Sequence, residues 1–181
     1  LPSMKGEVTL AAGTADGLHS SLLRTTGGYY VGFAEKAYWV VDDFSSSTAL
    51  TGVGASQMVT GFCQGNNRVY LCTNVGVYGV EPATPTVATL LFTFPETDAN
   101  ARAFFAKDRL ILASKGAIWD QAPPASGASN VSLAYVDALY RKNATHAWVS
   151  VASAPNFILI AGSSSTESMI YSMSLTTPAS G

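Results

Sequence analysis

The chain has 181 residues, 48% of them hydrophobic and 12% charged, with a formal net charge of −2. That length can bury a full core, so one compact domain is expected, while soluble domains ordinarily carry roughly a quarter of their residues as charges. Lys and Arg are scattered and form no run, which argues against a nucleic-acid partner. The longest apolar run, residues 157–162, is far short of the roughly 20 residues of a membrane span.

Residues 1–5 do not read as a signal peptide, because no apolar segment follows Lys5. A chain opening on Leu1 reads as a processed or partial piece of something longer. Residues 7–12 alternate like a short strand and run into a turn-rich stretch. Residues 20–26, 29–34, 37–41 and 48–53 then form a first unit of strands. Residues 57–64, 68–73, 76–80 and 87–94 form a second, with Pro82 and Pro85 in the loop before its outer strand, where a missing backbone donor does least harm. A third unit covers residues 101–136, with Pro123 and Pro124 again ahead of its outer strand. Residues 146–152, 156–162 and 168–173 begin a fourth, within 146–175, that lacks an obvious outer strand. A helix over residues 97–107 competes weakly, since Ala99, Ala103 and Phe104 share a helical spacing, but the second half of that stretch repeats the strand pattern of residues 61–64.

The third unit shows the pattern best: an apolar strand (103–106), a polar turn at Lys107 and Asp108, a second strand (110–114), a turn at Lys115 and Gly116, and a third strand ending in Trp119. Taking Tyr29, Val69, Leu110 and Ile158 as equivalent gives spacings of 40, 41 and 48 residues. The aromatics closing each third strand, Trp39, Tyr78, Trp119 and Tyr171, are spaced by 39, 41 and 52. A multi-strand repeat of this length is the mark of a β-propeller blade, whose apolar faces must stack on neighbouring blades. The expected fold class is therefore all-β, a propeller with about four four-stranded antiparallel blades. Residues 7–12 could close a four-blade ring by completing the blade that ends at Met173. The favoured alternative is a larger ring that continues beyond the chain ends, four being the low end of the range.

Chemistry-bearing sets are sparse. His19 and His146 lie in different units with no Cys or carboxylate at metal-ligand spacing. Cys63 and Cys72 fall on adjacent strands of one hairpin, with Cys63 expected opposite residue 68 or 69, out of register for a bridge and read as buried apolar groups. Asp42 and Asp43 precede serines that supply few strong Ca²⁺ ligands. Glu96, Asp98, Asp108, Asp120 and Asp137 sit at strand ends or turns, where a glycosidase would need two of them facing across a cleft. The repeated Ser-x-Asp-x-Gly-x-x-Trp turn of sialidase-type propellers is absent, as are a Gly-x-Ser-x-Gly elbow and a phosphate-binding loop. Residues 51–54 lack the third glycine of a dinucleotide fingerprint, and Asn143 to Thr145 match an N-glycosylation pattern without a secretion signal. No catalytic, cofactor-binding or metal-ligating residue is therefore assigned, and no cofactor is expected.

The strings of residues 105–113 and 117–120, Leu133 and Tyr135, and residues 147–162 and 168–175 together resemble the propeller region of minor tail proteins of long-tailed phages that infect actinobacteria. The likeness covers residues 102–175, and departs from that pattern where Ala154, Pro155 and Asn156 replace the usual Gly-Pro and where Trp148 stands alone. It implies a non-enzymatic structural component of a virion tail tip or baseplate, assembled in the host cytoplasm. Such a component would dock neighbouring tail proteins in a symmetric multi-copy assembly and touch a host receptor or glycan. Two other functions fit a propeller: a carbohydrate-binding or glycan-degrading module, with facing carboxylates and exposed aromatics at its axis, and a cellular scaffold for protein interaction.

Overall fold

Val, Ile, Tyr, Phe and Leu dominate the apolar runs, and such side chains fit a pleated surface better than a helix. In the computed structural model of the chain, which describes residues 20–141, 147–153 and 157–174, most of these runs within the described residues are strands. Residues 7–12, His19, residues 143–145, His146 and residues 154–156 lie outside the described residues.

The first sheet is β1 (Ser20–Thr25), β2 (Gly28–Phe33), β3 (Lys36–Val41) and β4 (Ser47–Ala49), paired antiparallel in chain order. The second is β5 (Val59–Gly65), β6 (Arg68–Thr73), β7 (Gly76–Val80) and β8 (Ala88–Thr93), again in order. The third starts with β9 (Arg102–Ala106), β10 (Arg109–Ser114) and β11 (Ala117–Gln121). Residues 102–106 are thus strand, and the helical alternative fails there. After β11 the chain crosses back: β12 (Val131–Ser132) pairs in parallel with β8 as a fifth strand of the second sheet. A 3₁₀ turn at Tyr135–Asp137 then leads to β13 (Tyr140–Arg141), the outer strand of the third sheet. The outer strand expected around Leu133 and Tyr135 therefore lies elsewhere. Leu133 is buried among the side chains of the second and third sheets, and its N–H donates to the Thr93 carbonyl, so edge pairing with β8 takes that stretch away from β11. The fourth sheet is β14 (Ala147–Ser153), β15 (Phe157–Ser163) and β16 (Ser168–Ser174).

Several hairpins turn on residues in the left-handed region, as two-residue loops require. Asn66 and Asn67 (φ 48° and 54°) join β5 to β6, and Lys107 and Asp108 (φ 49° and 58°) join β9 to β10. The Asn66–Asn67 turn puts Gly65 opposite Arg68 and therefore Cys63 opposite Tyr70, one residue further along than the sequence suggested. Cys72 lies opposite Gly61, and both cysteines are free thiols.

Three hydrophobic clusters lie between successive sheets. Tyr30 and Ala37 of the first sheet meet Val59, Val69, Leu71, Tyr78 and Val80 of the second. Tyr70, Cys72, Val77 and Phe92 of the second meet Leu110, Leu112 and Trp119 of the third. Ile111, Ala113 and Ile118 of the third meet Trp148, Ile158 and Ile160 of the fourth. The sheets are thus stacked in chain order, each presenting one face to the sheet before it and the other to the sheet after it. Burial follows from that position. Strands β6 and β7 are buried along their whole length, while β2 and β15 alternate because one of their faces is more fully covered than the other.

The pairing register also settles the repeat. Tyr78 lies opposite Leu71, Trp119 opposite Leu112 and Tyr171 opposite Ile160, all on the face toward the preceding sheet. In the first sheet the residue opposite Val31 is Tyr38, not Trp39. Trp39 pairs with Tyr30 and faces the second sheet instead. A slip of one residue along a strand exchanges faces, so Tyr38 is the true counterpart of the other three aromatics.

Backbone hydrogen bonds stitch neighbouring sheets. The Thr51 N–H donates to the Thr86 carbonyl (2.9 Å) and the Ala88 N–H to the Thr51 carbonyl (2.9 Å), so the chain leaving the first sheet runs beside the start of β8. The Asn130 N–H donates to the Leu90 carbonyl (2.9 Å), and buried Arg68, ion-paired with Glu81, donates through Nη1 to the Pro124 carbonyl (3.0 Å).

Candidate functional site

The first strands of successive sheets adjoin: β1 lies against β5, β5 against β9 and β9 against β14. They line one cavity of about 410 Å³, formed by Ser21 and Leu22 of β1, residues 60–63 of β5, residues 102–106 of β9, and Val151 and Ser153 of β14. Its walls are the rings of Phe62, Phe104 and Phe105, the thiol of Cys63 and small hydroxyls. Ser21 Oγ is buried with no hydrogen-bond partner among the described residues. The single formal charge of the lining is Arg102, whose Nη1 donates to the Ala101 carbonyl (2.8 Å). A wall with one guanidinium and no carboxylate attracts anions or neutral polar groups and offers a divalent cation no ligand set. Among the described residues there is no cluster of three or more His, Cys, Asp or Glu suited to a metal.

The acidic residues singled out in the sequence are committed elsewhere. Asp120 on β11 forms a two-pronged ion pair with Arg109 on β10, with Nε to Oδ1 at 2.6 Å. Asp98 is buried, and its carboxylate accepts from the backbone N–H of Asn100 (2.9 Å) and of Lys115 (2.6 Å) and from Ser114 Oγ (3.4 Å). Glu96 accepts from the Tyr135 hydroxyl (3.0 Å). Asp42, Asp43, Asp108 and Asp137 are exposed, and the Asp43 carboxylate accepts from the Ser45 N–H, bonding to Ser45 that holds its carboxyl below the usual range. The structure brings none of these together at the cavity. The pair of facing carboxylates that glycoside hydrolysis needs is not formed there among the described residues.

A second, smaller opening of about 120 Å³ separates the first and second sheets. It is lined by the rings of Tyr30 and Trp39 and by the polar side chains of Gln64, Asn67 and Arg68. The Trp39 ring stands 4.8 Å from that of Tyr30, and burial pushes the Tyr30 hydroxyl up to about 12. Neither opening was visible from the sequence. Arg102 and Trp39 carry no motif, and only the alternation that points Trp39 toward the second sheet could have signalled it.

Both thiols are held in the neutral form. Burial, reinforced by Cys72, pushes Cys63 well up, and burial pushes Cys72 up to about 12 from an ordinary 9.0. A thiol raised in the folded state stabilises the fold below its unfolded value, and that contribution is lost as pH rises from about 9 toward 12. Tyr30 acts in the same direction. The urea midpoint is therefore expected to fall steadily above pH 9, and the gap between the wild type and Cys72→Ala to narrow between pH 8 and pH 10.5. A gap that stays constant over that interval would remove the thiol from the account.

The fold and cavity define an all-β protein of stacked antiparallel sheets whose first strands share one opening. No protein-family model and no curated protein matches the chain. Among solved structures it is similar to the computationally designed Ika4 protein, with a TM-score of 0.61 and 11% identity, over 96% of this chain and 99% of that one. It is also similar to the computationally designed Ika8 protein, with a TM-score of 0.56 and 12% identity, over 84% of this chain and 45% of that one. The chain thus spans less than half the length of Ika8, and at such identities the likeness is one of fold alone.

Proposed function

We propose that the four sheets are blades of a β-propeller and that the chain is a structural component which docks other proteins through its faces and loops, in a virion tail tip or baseplate. The observation that carries the propeller is the cavity to which all four sheets contribute their first strands, as blades arranged around an axis would. The serial stacking of sheets through three clusters supports the same arrangement. A docking role is supported by what the side chains do. The buried polar groups tie sheets and turns together, and apolar residues such as Val136 (90% exposed) and Ile170 (73% exposed) remain on the surface. The tail-tip assignment rests on the resemblance of residues 102–175 to phage minor tail proteins. Immunogold labelling of phage particles produced by cells that express this chain tests it: label at the tail tip is expected, and label confined to the cell would overturn it.

One observation favours a second function. The cleft lined by Tyr30, Trp39, Gln64, Asn67 and Arg68 combines aromatic rings with amide groups, as neutral sugars require. Titration calorimetry with cell-wall oligosaccharides, repeated on Trp39→Ala, checks this. Heat that vanishes in the variant would favour a carbohydrate-binding module, and no heat in either protein would dismiss it.

A further inference from the structure

The cavity shared by β1, β5, β9 and β14 carries a cation with no carboxylate against it. Two other arginines withdrawn from solvent are answered by acids, Arg68 by Glu81 and Arg109 by Asp120. Arg102, the single formal charge of the cavity lining, makes no ion pair among the described residues, and its one hydrogen bond there runs from Nη1 to the Ala101 carbonyl. Asp98, just ahead of it on the chain, commits its carboxylate to the N–H groups of Asn100 and Lys115 and to Ser114 Oγ. The Cys63 thiol in the lining is kept neutral by burial and adds no negative charge. A guanidinium drawn out of water without a counter-charge is costly, and a bound anion relieves that cost.

The same lining holds hydroxyls without partners. Thr60 is 7% exposed, and its Oγ1 is buried with no hydrogen-bond partner among the described residues, the nearby Cys72 sulfur being a weak one. It is the extra residue of a β-bulge, since Val59 lies opposite Thr73 and Gly61 opposite Cys72. Bulges re-aim side chains and are frequent beside functional sites. Thr60 and Arg102 both oppose the rise that burial causes in the Cys72 thiol, so the two lie on the same side of the cavity. Ser21 Oγ, on β1, is buried and unpartnered in the same way. Buried hydroxyls left unpaired are destabilising, and together with the guanidinium they call for an occupant that accepts hydrogen bonds. Much of the remaining lining is apolar, with Phe62, Phe104, Phe105, Leu22 and Val151.

We infer that this cavity binds a small organic monocarboxylate with a ring-sized apolar body, its carboxylate on the Arg102 guanidinium beside the Thr60 hydroxyl. The planar guanidinium presents its N–H groups as a fork that fits the two oxygens of a carboxylate. One cation balances one negative charge, whereas a phosphate dianion would bring a second charge that no group of the lining answers. The phenylalanines suit an aromatic or aliphatic body. The volume of about 410 Å³ falls within the range of small-molecule sites, roughly 300–1,000 Å³. The site goes beyond the docking role proposed above and stands on the lining itself, whatever the number of blades.

Titration calorimetry of the full chain with phenylacetate is expected to show binding at a single site, at millimolar concentration or tighter. Phenylacetamide, which has the ring without the charge, and acetate, which has the charge without the ring, should each bind at least about 10-fold more weakly. Arg102→Gln should weaken phenylacetate at least about 10-fold, and Arg102→Lys by less, because it keeps the charge and loses the fork. Thr60→Val, of nearly the same shape, should weaken it about 3-fold. Methyl NMR of the wild type locates the site without any variant. The resonances of Leu22, Thr60 and Val151 should move on adding phenylacetate, while those of Val69 and Val80, which line the cleft between the first two sheets, should stay in place. Absence of heat with phenylacetate, as when the chain's own residues fill the cavity, would overturn the site. So would shifts confined to Val69 and Val80, full binding by a folded Arg102→Gln, or inorganic phosphate binding as tightly as phenylacetate. None of these outcomes alters the labelling expected at the tail tip, so the two readings fail separately.

Discussion

Trp119→Ala is expected to lower the free energy of unfolding by about 3–5 kcal/mol. Trp119 is fully buried where the second and third sheets meet, its ring 6.1 Å from those of Phe94 and Tyr135. Its Nε1–H donates to the Ala134 carbonyl (3.1 Å), fixing the crossover that carries β12 to the second sheet. Alanine would leave a cavity between two rigid sheets, each held on its other side by a further cluster, so little collapse can relieve the loss. Trp119→Phe separates the two contributions. It keeps most of the packing but leaves the Ala134 carbonyl without its donor, and should cost about 1–3 kcal/mol. Urea unfolding at constant slope measures both, and an alanine variant within about 1 kcal/mol of wild type would show that the interface repacks.

Asp98→Ala should cost about 1–3 kcal/mol, because the half-buried backbone N–H groups of Asn100 and Lys115 lose their charged acceptor. Asp98 is 8% exposed and joins three segments: its own N–H donates to the Asn74 carbonyl (2.8 Å) while its carboxylate reaches the turn between β10 and β11. Asp98→Asn retains one acceptor oxygen and is expected to fall between wild type and alanine. Equal losses in Asn and Ala would mean that the charge, rather than the number of acceptors, holds the corner. Either result makes Asp98 a structural residue whose role is to fix a turn, in keeping with its absence from the cavity lining.

Much of the architecture can be read from local pattern. The β-branched and aromatic runs become strands because their side chains suit a pleated sheet, and the polar pairs Asn66–Asn67 and Lys107–Asp108 become hairpin turns because short connections between adjacent strands need left-handed residues. The roughly forty-residue period anticipates one sheet per repeat for the same reason. The helix considered over residues 97–107 shows the limit of short windows, since an apolar spacing there fits both periods and pairing with β10 decides between them.

What a one-dimensional pattern cannot carry is which way a side chain faces and which neighbour claims an edge. Trp39 and Tyr38 are adjacent and both aromatic, and only hydrogen-bond register determines that Tyr38 matches the later repeats. Residues 131–132 join the sheet of the preceding repeat because the β8 edge offers unpaired backbone groups and a buried seat for Leu133 beside it. The cavity is likewise a product of assembly: Ser21, Thr60, Arg102 and Ser153 come from four separate strands and share no motif. The chain's own order therefore determined the strands, their turns and their repetition, since these depend on neighbours a few residues away. Tertiary structure alone decided the faces, the crossover and the lining of the opening, because those depend on contacts between residues far apart in the chain, whose energies exist only once the sheets have stacked.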